Sequence, residues 1–526
     1  MITHLIILTA ISVMYGLVLL LSLRHWVRFD LDFSKNFPII PFQDSGYYLG
    51  QIEGFRSGLR GFGNPFYYEH KDDGFGYGSS ALLAFWGYIG KILHINIIQT
   101  YLFLTVVTGI LTVLTAYLFI KTFISNRLLA IATSAFTIFT ICGTSLGRPS
   151  PTQLTLWIVF LLLRVQHDLI FGFERYKSRF ILYLLLLMFL TFSNPFYAVF
   201  VGFNHVLNGL FNLDKRDFKQ RIGHLAALLL CFIPYLIKLM TKQKFEEAQA
   251  ARFGLIHSHL PGAFKISLLI LTLLFALYFF SSKKDSTYRW IIILLISIFA
   301  TLNSQIFTGI HYEMESHLSL LAKIILLTVA VFLFFSKAKY SIIYSVVIGI
   351  LAISGNVWDY SVIFNNQVVS EPKNELHLLK LIRGKVHPGD VLLYQNSKIP
   401  IDSQEMISVL TSTYIYFSSA GNLSRSSDKE ILKRLACGYL THQNSLDEAI
   451  QQAYLHRFHN ERLMFSKWDR LLNKVGLDIY DPNIELSRKE SDLNFVLRYQ
   501  KTRCKTKEFK SDYLVTPDFQ ILEDES

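Results

Sequence analysis

Apolar runs long enough to cross a membrane recur from the first residues to about residue 356. A transmembrane helix needs about 20 mostly apolar residues. Only 17% of the 526 residues are charged, against about a quarter in a typical soluble protein. The chain is therefore predicted to be a polytopic α-helical membrane protein with about 11 transmembrane helices. The predicted spans are 4–23, 97–120, 128–146, 153–171, 180–192, 196–211, 222–240, 264–281, 289–303, 318–336 and 340–356.

Lys and Arg in the short loops predict the orientation, because cytoplasmic loops carry an excess of basic residues. Arg24 and Arg28, after the first span, disagree with the prediction that the N-terminus is cytoplasmic, but five basic loops outweigh them. No small-residue cleavage site follows that span, so it is interpreted as a retained helix. The predicted location is a bacterial inner membrane, multi-pass. The basic loops are 121–127, 175–179, 215–221, 283–289 and 337–339.

The composition changes near residue 357, where the long apolar runs stop. Short β-like runs at 390–394, 414–417 and 512–515 alternate with helical patterns at 427–437 and 445–473. Strands that alternate with helices favour an α/β fold. Two domains are predicted. They are a transmembrane domain, 1–356, whose outer loop 24–96 holds interfacial helices, and a non-cytoplasmic soluble α/β domain, 357–526.

The outer loop places Asp44 just before an apolar stripe of Tyr48, Ile52, Phe55 and Leu59. This spacing predicts a helix that lies on the membrane surface with its apolar side down. Asp44 suits a general base or a ligand of a divalent cation. It equally suits a helix N-cap, a common position for Asp. The residues alone leave both interpretations open.

A second polar cluster follows in the same loop, after two tyrosines. Its carboxylates are suitable ligands for a hard cation such as Mg²⁺ or Mn²⁺. Its aromatic rings are suitable for stacking on a sugar. The alternative is a solvated turn that ends at Gly74. The cluster consists of Tyr67, Tyr68, Glu69, His70, Asp72 and Asp73.

Two further places carry candidate residues on the predicted outer face. Arg148, in the sequence SLGRPSP, is placed to bind a phosphate or to extend harmlessly towards the membrane boundary. The 303–317 loop suits a metal site or a hydrogen-bonded polar patch. That loop holds His311, Glu313, Glu315 and His317.

The cysteines and the net charge say little about the function of the protein. Cys437 and Cys504 lie in the predicted outer domain and are candidates for a disulfide, and no Cys/His spacing resembles a zinc site. Most of the net charge of +12 follows from the basic cytoplasmic loops. Basic residues in the outer loop suit anionic lipid headgroups or a pyrophosphate. Nothing in the sequence indicates nucleic acid binding.

The arrangement of a first span and a long outer loop that opens on an acid resembles the GT-C superfamily of membrane glycosyltransferases. QDSGYYLGQIEGFRSG resembles the D-E-x-x-Y-type opening of the family, with Asp44 at the Asp and Ser45 in place of the second acid. NPFYYEHKDDGFGYGSSALLA resembles a later segment of the aminoarabinose and protein-mannosyl transferase branches. Glu69 matches the acid of that segment, whereas its Pro pair is absent.

The resemblance implies inverting transfer of a sugar from a polyprenyl-phosphate donor to a glycan, lipid or protein acceptor on the non-cytoplasmic face. Asp44 and Glu69 would be catalytic. Substrate or phosphate would be bound by Arg148, Tyr67, Tyr68, His70 and His311. Asp72, Asp73, Glu313 and Glu315 would be candidate ligands of Mg²⁺ or Mn²⁺. A polysaccharide polymerase and a transporter or flippase for a lipid-linked saccharide are the alternatives.

Overall fold

The computed structural model divides the protein into two compact units, which are described separately. The helical unit comprises 1–25, 102–243 and 258–367, and the loop–tail unit comprises 26–101, 244–257 and 368–526. The predicted domain boundary near residue 356 stays a prediction. The structure describes residues 2–27, 37, 45–59, 63–72, 81–171, 176–211, 226, 228–234, 256–257, 263–280, 286–308, 310–311, 314–335, 347, 373–394, 399–418, 426–439, 508–516 and 518–524.

Helices make up the helical unit throughout its described part, apart from the two-residue strand β2 (Ile310–His311). A π-helical turn, Thr137–Cys142, and a 3₁₀ turn, Gly143–Gly147, follow α5. The helices are α1 (Ile2–Val27), α4 (Ile97–Ile120, whose first residues belong to the loop–tail unit), α5 (Arg127–Phe136), α6 (Pro151–Leu154), α7 (Leu156–Phe171), α8 (Tyr176–Ser193), α9 (Pro195–Phe211), α10 (Phe264–Phe280), α11 (Ser286–Leu302), α12 (Ser304–Thr308) and α13 (Met314–Phe335).

Among the residues that the structure describes, three helices contain segments long and apolar enough to cross a membrane: Thr3–Leu20, Ile97–Ile120 and His317–Phe335. Apolar side chains such as Leu5 and Phe275 are exposed on the outside of the unit, as expected for helices that face lipid. The described part of this unit is therefore helical and compatible with membrane association.

Close helix packing and local hydrogen bonds hold this unit together. A Cβ on Gly109 of α4 would lie 2.7 Å from Leu19 of α1, so the two helices can approach closely only because residue 109 lacks a side chain. Buried hydroxyls, such as that of Thr133, donate to the carbonyl four residues earlier, in this case that of Leu129. Such bonds satisfy polar groups in surroundings where water is scarce.

The loop–tail unit combines helices with a four-stranded sheet of order β4-β3-β5-β6. β3 pairs in parallel with β4 and β5, and β5 pairs antiparallel with β6. All four residues of β3 are buried, which explains its unbroken apolar sequence VLLY. The elements are α2 (Ser45–Ser57), α3 (Ala81–Ile92), β1 (Ile256–His257), α14 (Lys373–Lys385), β3 (Val391–Tyr394), α15 (Ile401–Thr411), β4 (Tyr414–Ile415), α16 (Asp428–Arg434), β5 (Tyr513–Val515) and β6 (Ile521–Glu523).

Strands lie within the three predicted β-like runs, and α16 lies within the helical pattern 427–437. The pattern 445–473 lies outside the described residues. A soluble α/β domain over 357–526 therefore stays a prediction.

Two residues of the predicted apolar stripe, Ile52 and Phe55, face protein, contrary to the expectation that the stripe faces the membrane, whereas Leu59 is 49% exposed. Ile52 is 0% exposed and Phe55 is 6% exposed. A Cβ on Gly87 of α3 would lie only 2.6 Å from the Ile52 carbonyl oxygen, so the missing side chain lets α3 cover the stripe. Exposed apolar side chains also lie on α3, at Phe85 and Tyr88.

Candidate functional site

Breaks in the helices create a polar region inside the helical unit. The 3₁₀ turn that ends at Gly147 is followed by Arg148, and α6 begins at Pro151. Asn194 separates α8 from α9, which begins at Pro195. Proline suits the first position of a helix and disfavours helical geometry in the residue before it. The sequence thus fixes two places where the backbone leaves the helical path.

Side-chain contacts bring these breaks to the start of α13. The Nδ1 atom of His317 lies 2.9 Å from the Thr152 hydroxyl oxygen, and the His317 ring stacks on Phe196 with centroids 3.9 Å apart. The Asn194 amide donates to the Thr155 hydroxyl at 3.3 Å. We call the residues gathered here, Arg148, Thr152, Ser193, Asn194, Tyr197 and His317, the helix-break site.

The helix-break site is cationic and contains hydroxyl groups without partners. Arg148 is half-buried, and its charge acts on the His317 ring. The hydroxyls of Ser193 and Tyr197 are buried, and neither finds a hydrogen-bond partner within the described part of the chain. Unpaired buried polar groups cost free energy. The first turn of α9 adds the positive end of a helix dipole, so an anion with several oxygens suits this site.

A second polar cluster, the Arg434 cluster, lies in the loop–tail unit. The Arg434 side chain is 1% exposed and donates to Glu69 at 2.6 Å and to Glu430 at 2.8 Å. Its guanidinium lies 4.3 Å from the ring centre of Tyr67 and 4.0 Å from that of Phe509. A buried guanidinium needs paired carboxylates and stacked rings of this kind.

The outer-loop residues of this cluster are bound to the C-terminal segment. Nε2 of His70 lies 2.9 Å from Glu430, and the backbone N–H of Lys510 donates to Glu69 at 2.8 Å. The Tyr67 hydroxyl donates to the Ser418 carbonyl at 2.9 Å. These bonds join the outer loop to the C-terminal segment through Glu69, His70 and Tyr67, and the predicted roles of the three residues stay predictions.

Charges in the cluster favour the ionised forms. Burial alone would lower the pKa of Arg434, but the charges of Glu69, Tyr67 and Glu430 and the hydrogen bond to Glu69 together outweigh burial and raise it. Burial alone would raise the pKa of Glu430, but the hydrogen bond from His70 and the charge of Arg434 together lower it. Burial raises the pKa of Tyr67, which keeps its hydroxyl a donor. The pKa shifts of Arg434 and Glu430 thus favour the charged forms that pair in these salt bridges.

The remaining predicted site residues make other contacts or are not described. Tyr68 is half-buried, with the amino group of Lys71 4.0 Å from its ring centre. Asp72 is exposed, and the described residues contain no group of three or more metal-ligating side chains. The backbones of His311 and Glu315 lie in β2 and α13, but their side chains are not described. Asp44, Asp73 and Glu313 lie outside the described residues.

One half of the expected disulfide between Cys437 and Cys504 can be checked. Cys437 is disulfide-bonded, whereas its proposed partner Cys504 lies outside the described residues. Cys142 and Cys231 are free and buried.

Sequence reasoning missed the tail side of the Arg434 cluster. Glu430 and Arg434 stand four residues apart in a predicted helical pattern, which is the spacing of an ion pair on one helix face. That spacing could have drawn attention to them, but it could not have indicated Glu69 as the third member. Thr152 and Ser193 were missed because a single hydroxyl in an apolar run carries no distinctive pattern.

Comparison of the chain with known protein families gives no matching family model, and comparison with curated proteins gives no match.

Proposed function

We propose that the protein is a membrane glycosyltransferase of the GT-C type, which transfers a sugar from a polyprenyl-phosphate donor to an acceptor with inversion. The helix-break site is the observation that carries this proposal. Arg148, the first turn of α9 and two hydroxyls that have no partner among the described residues suit the phosphate group of such a donor. Apolar helices around the site suit its polyprenyl chain.

The proposed reaction exchanges one bond at the anomeric carbon. The acceptor hydroxyl loses its proton to the Asp44 carboxylate, and its oxygen bonds to the anomeric carbon. The bond from that carbon to the phosphate oxygen breaks, and polyprenyl phosphate leaves with the electron pair. Arg148 offsets the charge that develops on the phosphate, so the protein acts mainly by positioning and charge compensation.

Topology in this proposal follows the predicted eleven spans, with the loop–tail residues on the non-cytoplasmic face. The disulfide bond of Cys437 supports that placement, because disulfides persist in oxidising compartments. In this proposal Glu69 contributes to catalysis indirectly, because its carboxylate accepts hydrogen bonds from Arg434 and from the backbone of Lys510. A divalent cation near Asp72 and Asp73 is part of the proposal, and activity with and without a chelator tests it.

The test uses the full chain in lipid nanodiscs with a panel of synthetic polyprenyl-phosphate hexoses. Mass spectrometry follows the release of polyprenyl phosphate, a product common to all such donors. Asp44→Asn should abolish release at unchanged protein levels, whereas Arg127→Ala, at the exposed first residue of α5, should leave it unchanged. Near-normal release by Asp44→Asn would remove Asp44 from the mechanism.

A transporter of lipid-linked saccharides is the second candidate, favoured by an amide network inside the helical unit. The Asn204 amide donates to Gln166 at 2.9 Å and accepts from the Ser297 hydroxyl at 3.0 Å. Buried polar groups between apolar helices often mark the path of a polar substrate. Transbilayer movement of an intact donor, without release of polyprenyl phosphate, would select this candidate over the transferase.

A further inference from the structure

A further helix break lies at the end of α11 and places a buried amide in the helical unit. The helix ends at Leu302 and α12 begins at Ser304, so Asn303 stands between them. Asn303 is 1% exposed. Its side-chain nitrogen donates to the Ser267 hydroxyl at 2.8 Å and to the Phe299 carbonyl at 2.9 Å. Both N–H bonds of the amide are therefore used, one towards α10 and one within α11.

These partners fix the orientation of the Asn303 amide. A backbone carbonyl such as that of Phe299 can only accept a hydrogen bond, so the nitrogen of the amide must face it. The Oδ1 atom is then left as an acceptor. It is buried and has no hydrogen-bond partner among the residues that the structure describes, and the same is true of the hydroxyl of Ser304. A buried acceptor without a donor costs free energy, and a ligand with an O–H or N–H group would remove that cost.

Asn303 lies at the depth of the helix-break site. A short connection joins the end of α11 to the start of α13, where His317 stacks on Phe196 in the first turn of α9. The end of α11 therefore lies at the same side of the bundle as the start of α9. Within the bundle, the Ser297 hydroxyl of α11 donates to Asn204 of α9. Counted from this bond, Phe196 and Asn303 each lie about two turns away towards that side.

We propose that the side-chain oxygen of Asn303 accepts a hydrogen bond from a hydroxyl group of the sugar in a polyprenyl-linked ligand. This inference rests on the proposed function, which supplies the class of ligand. A phosphate at the helix-break site brings the sugar bonded to it to the depth of Asn303. A neutral acceptor among apolar helices suits a neutral hydroxyl, because no charge is then buried. The amide also gives selectivity, since a sugar without that hydroxyl leaves the oxygen unpaired.

Binding of neutral lipid-linked sugars tests the inference without the phosphate. The full chain in lipid nanodiscs is given polyprenyl glucoside, polyprenyl galactoside, polyprenyl mannoside and polyprenol, and the affinity for each is measured. The unaltered protein should bind at least one glycoside about tenfold more tightly than polyprenol. Asn303→Leu keeps a similar volume and removes the amide, so it should lose this preference and bind polyprenol as before. No preference for any glycoside in the unaltered protein would overturn the proposal.

Ser267→Ala is the matched control for a purely structural role of the amide. It removes the hydrogen bond between α10 and α11 but leaves the bond from Asn303 to the Phe299 carbonyl. This variant should keep the preference for the glycoside. Loss of the preference in both variants, or weaker polyprenol binding in Asn303→Leu, would overturn the proposal, because Asn303 would then only hold the two helices together.

Monodeoxy versions of the preferred glycoside test the same contact in the unaltered protein. Removal of one particular hydroxyl should abolish the preference over polyprenol, because the Asn303 oxygen then lacks its donor. If every monodeoxy glycoside binds as tightly as the parent, the proposal is wrong.

Release of polyprenyl phosphate separates this inference from the proposed function. If the glycosides bind as expected but the protein cleaves no polyprenyl-phosphate hexose, the proposed transfer fails and the sugar contact at Asn303 stands. If cleavage occurs while Asn303→Leu binds the glycosides like the unaltered protein, the transfer stands and the sugar contact fails.

Discussion

The helical unit and the loop–tail unit satisfy their buried polar groups in opposite ways. In the helical unit, hydroxyls bond to the preceding turn and amides bond between helices, as at Thr133 and Asn204. In the loop–tail unit, a buried cation joins carboxylates from segments far apart in the chain, as between Arg434 and Glu69. The difference follows from the surroundings, since charges are costly in an apolar bundle and can be paired in a mixed α/β unit.

The comparison implies that a single substitution can damage one unit and spare the other. Removing the cation of the Arg434 cluster should have the largest effect. Arg434→Met leaves Glu69 and Glu430 without their partner, and it should destabilise the loop–tail unit by about 3–5 kcal/mol. Hydrogen exchange should rise at 508–516 and 63–72 but not in α7 or α11. Equal loss of protection in both units would break the comparison.

Overpacking the contact between α2 and α3 should have the next largest effect. A Cβ at residue 87 would lie 2.5 Å from that of Phe55, so Gly87→Ala should cost about 1–3 kcal/mol. Gly384→Ala is the matched control, because nothing lies within 4 Å of its Cβ position in α14. Thermal unfolding should show a loss for the first variant and a small gain for the second. A gain for both would show that α2 and α3 are not in close contact.

Breaking the amide network should affect only the helical unit. Asn204→Leu removes hydrogen bonds to Gln166 and Ser297 and should cost about 1–2 kcal/mol, since interhelical bonds between membrane helices are individually weak. Exchange in α7, α9 and α11 should rise while the loop–tail unit keeps its protection. A loss as large as that of Arg434→Met would show that amide networks and ion-pair clusters are equally important.

Acid should destabilise the loop–tail unit before it destabilises the helical unit. The pKa of Glu430 is lowered in the folded protein from an ordinary value of 4.5, so its contribution is present above pH 4.5 and is lost as pH falls through the lowered pKa. Unfolding of this unit, measured from pH 7 down to pH 3, should show a smaller acid-induced loss in Glu430→Gln than in the unaltered protein. Equal losses would remove Glu430 from the pH response.

Helix positions could be predicted from the sequence because a long apolar run has few alternatives to a helix. The predicted span 264–281 corresponds to α10, and 180–192 falls inside α8, whose polar ends hydropathy missed. Most of 222–240 and 340–356 lies outside the described residues. That these helices cross a membrane stays a prediction. Among the described residues, three helices are long and apolar enough to do so.

Contacts between distant segments could not be predicted. Glu69 and Arg434 are 365 residues apart, and no local pattern links them. The stripe on α2 was correctly identified as a helix face, but the expected exposure of Ile52 and Phe55 was wrong because Gly87 lets α3 cover them. Asp44 is equally suited to a cap or a base, and it lies outside the described residues.

Binding of polyprenyl phosphate by the full chain in nanodiscs tests the central claim most directly. The unaltered protein should bind this lipid more tightly than the neutral polyprenol, because Arg148 and the helix-break site hold the phosphate. Arg148→Ala should lose about tenfold or more in affinity for the phosphate and none for the alcohol, whereas Arg127→Ala should match the unaltered protein. Equal affinity of the unaltered protein for the phosphate and the alcohol would contradict the account.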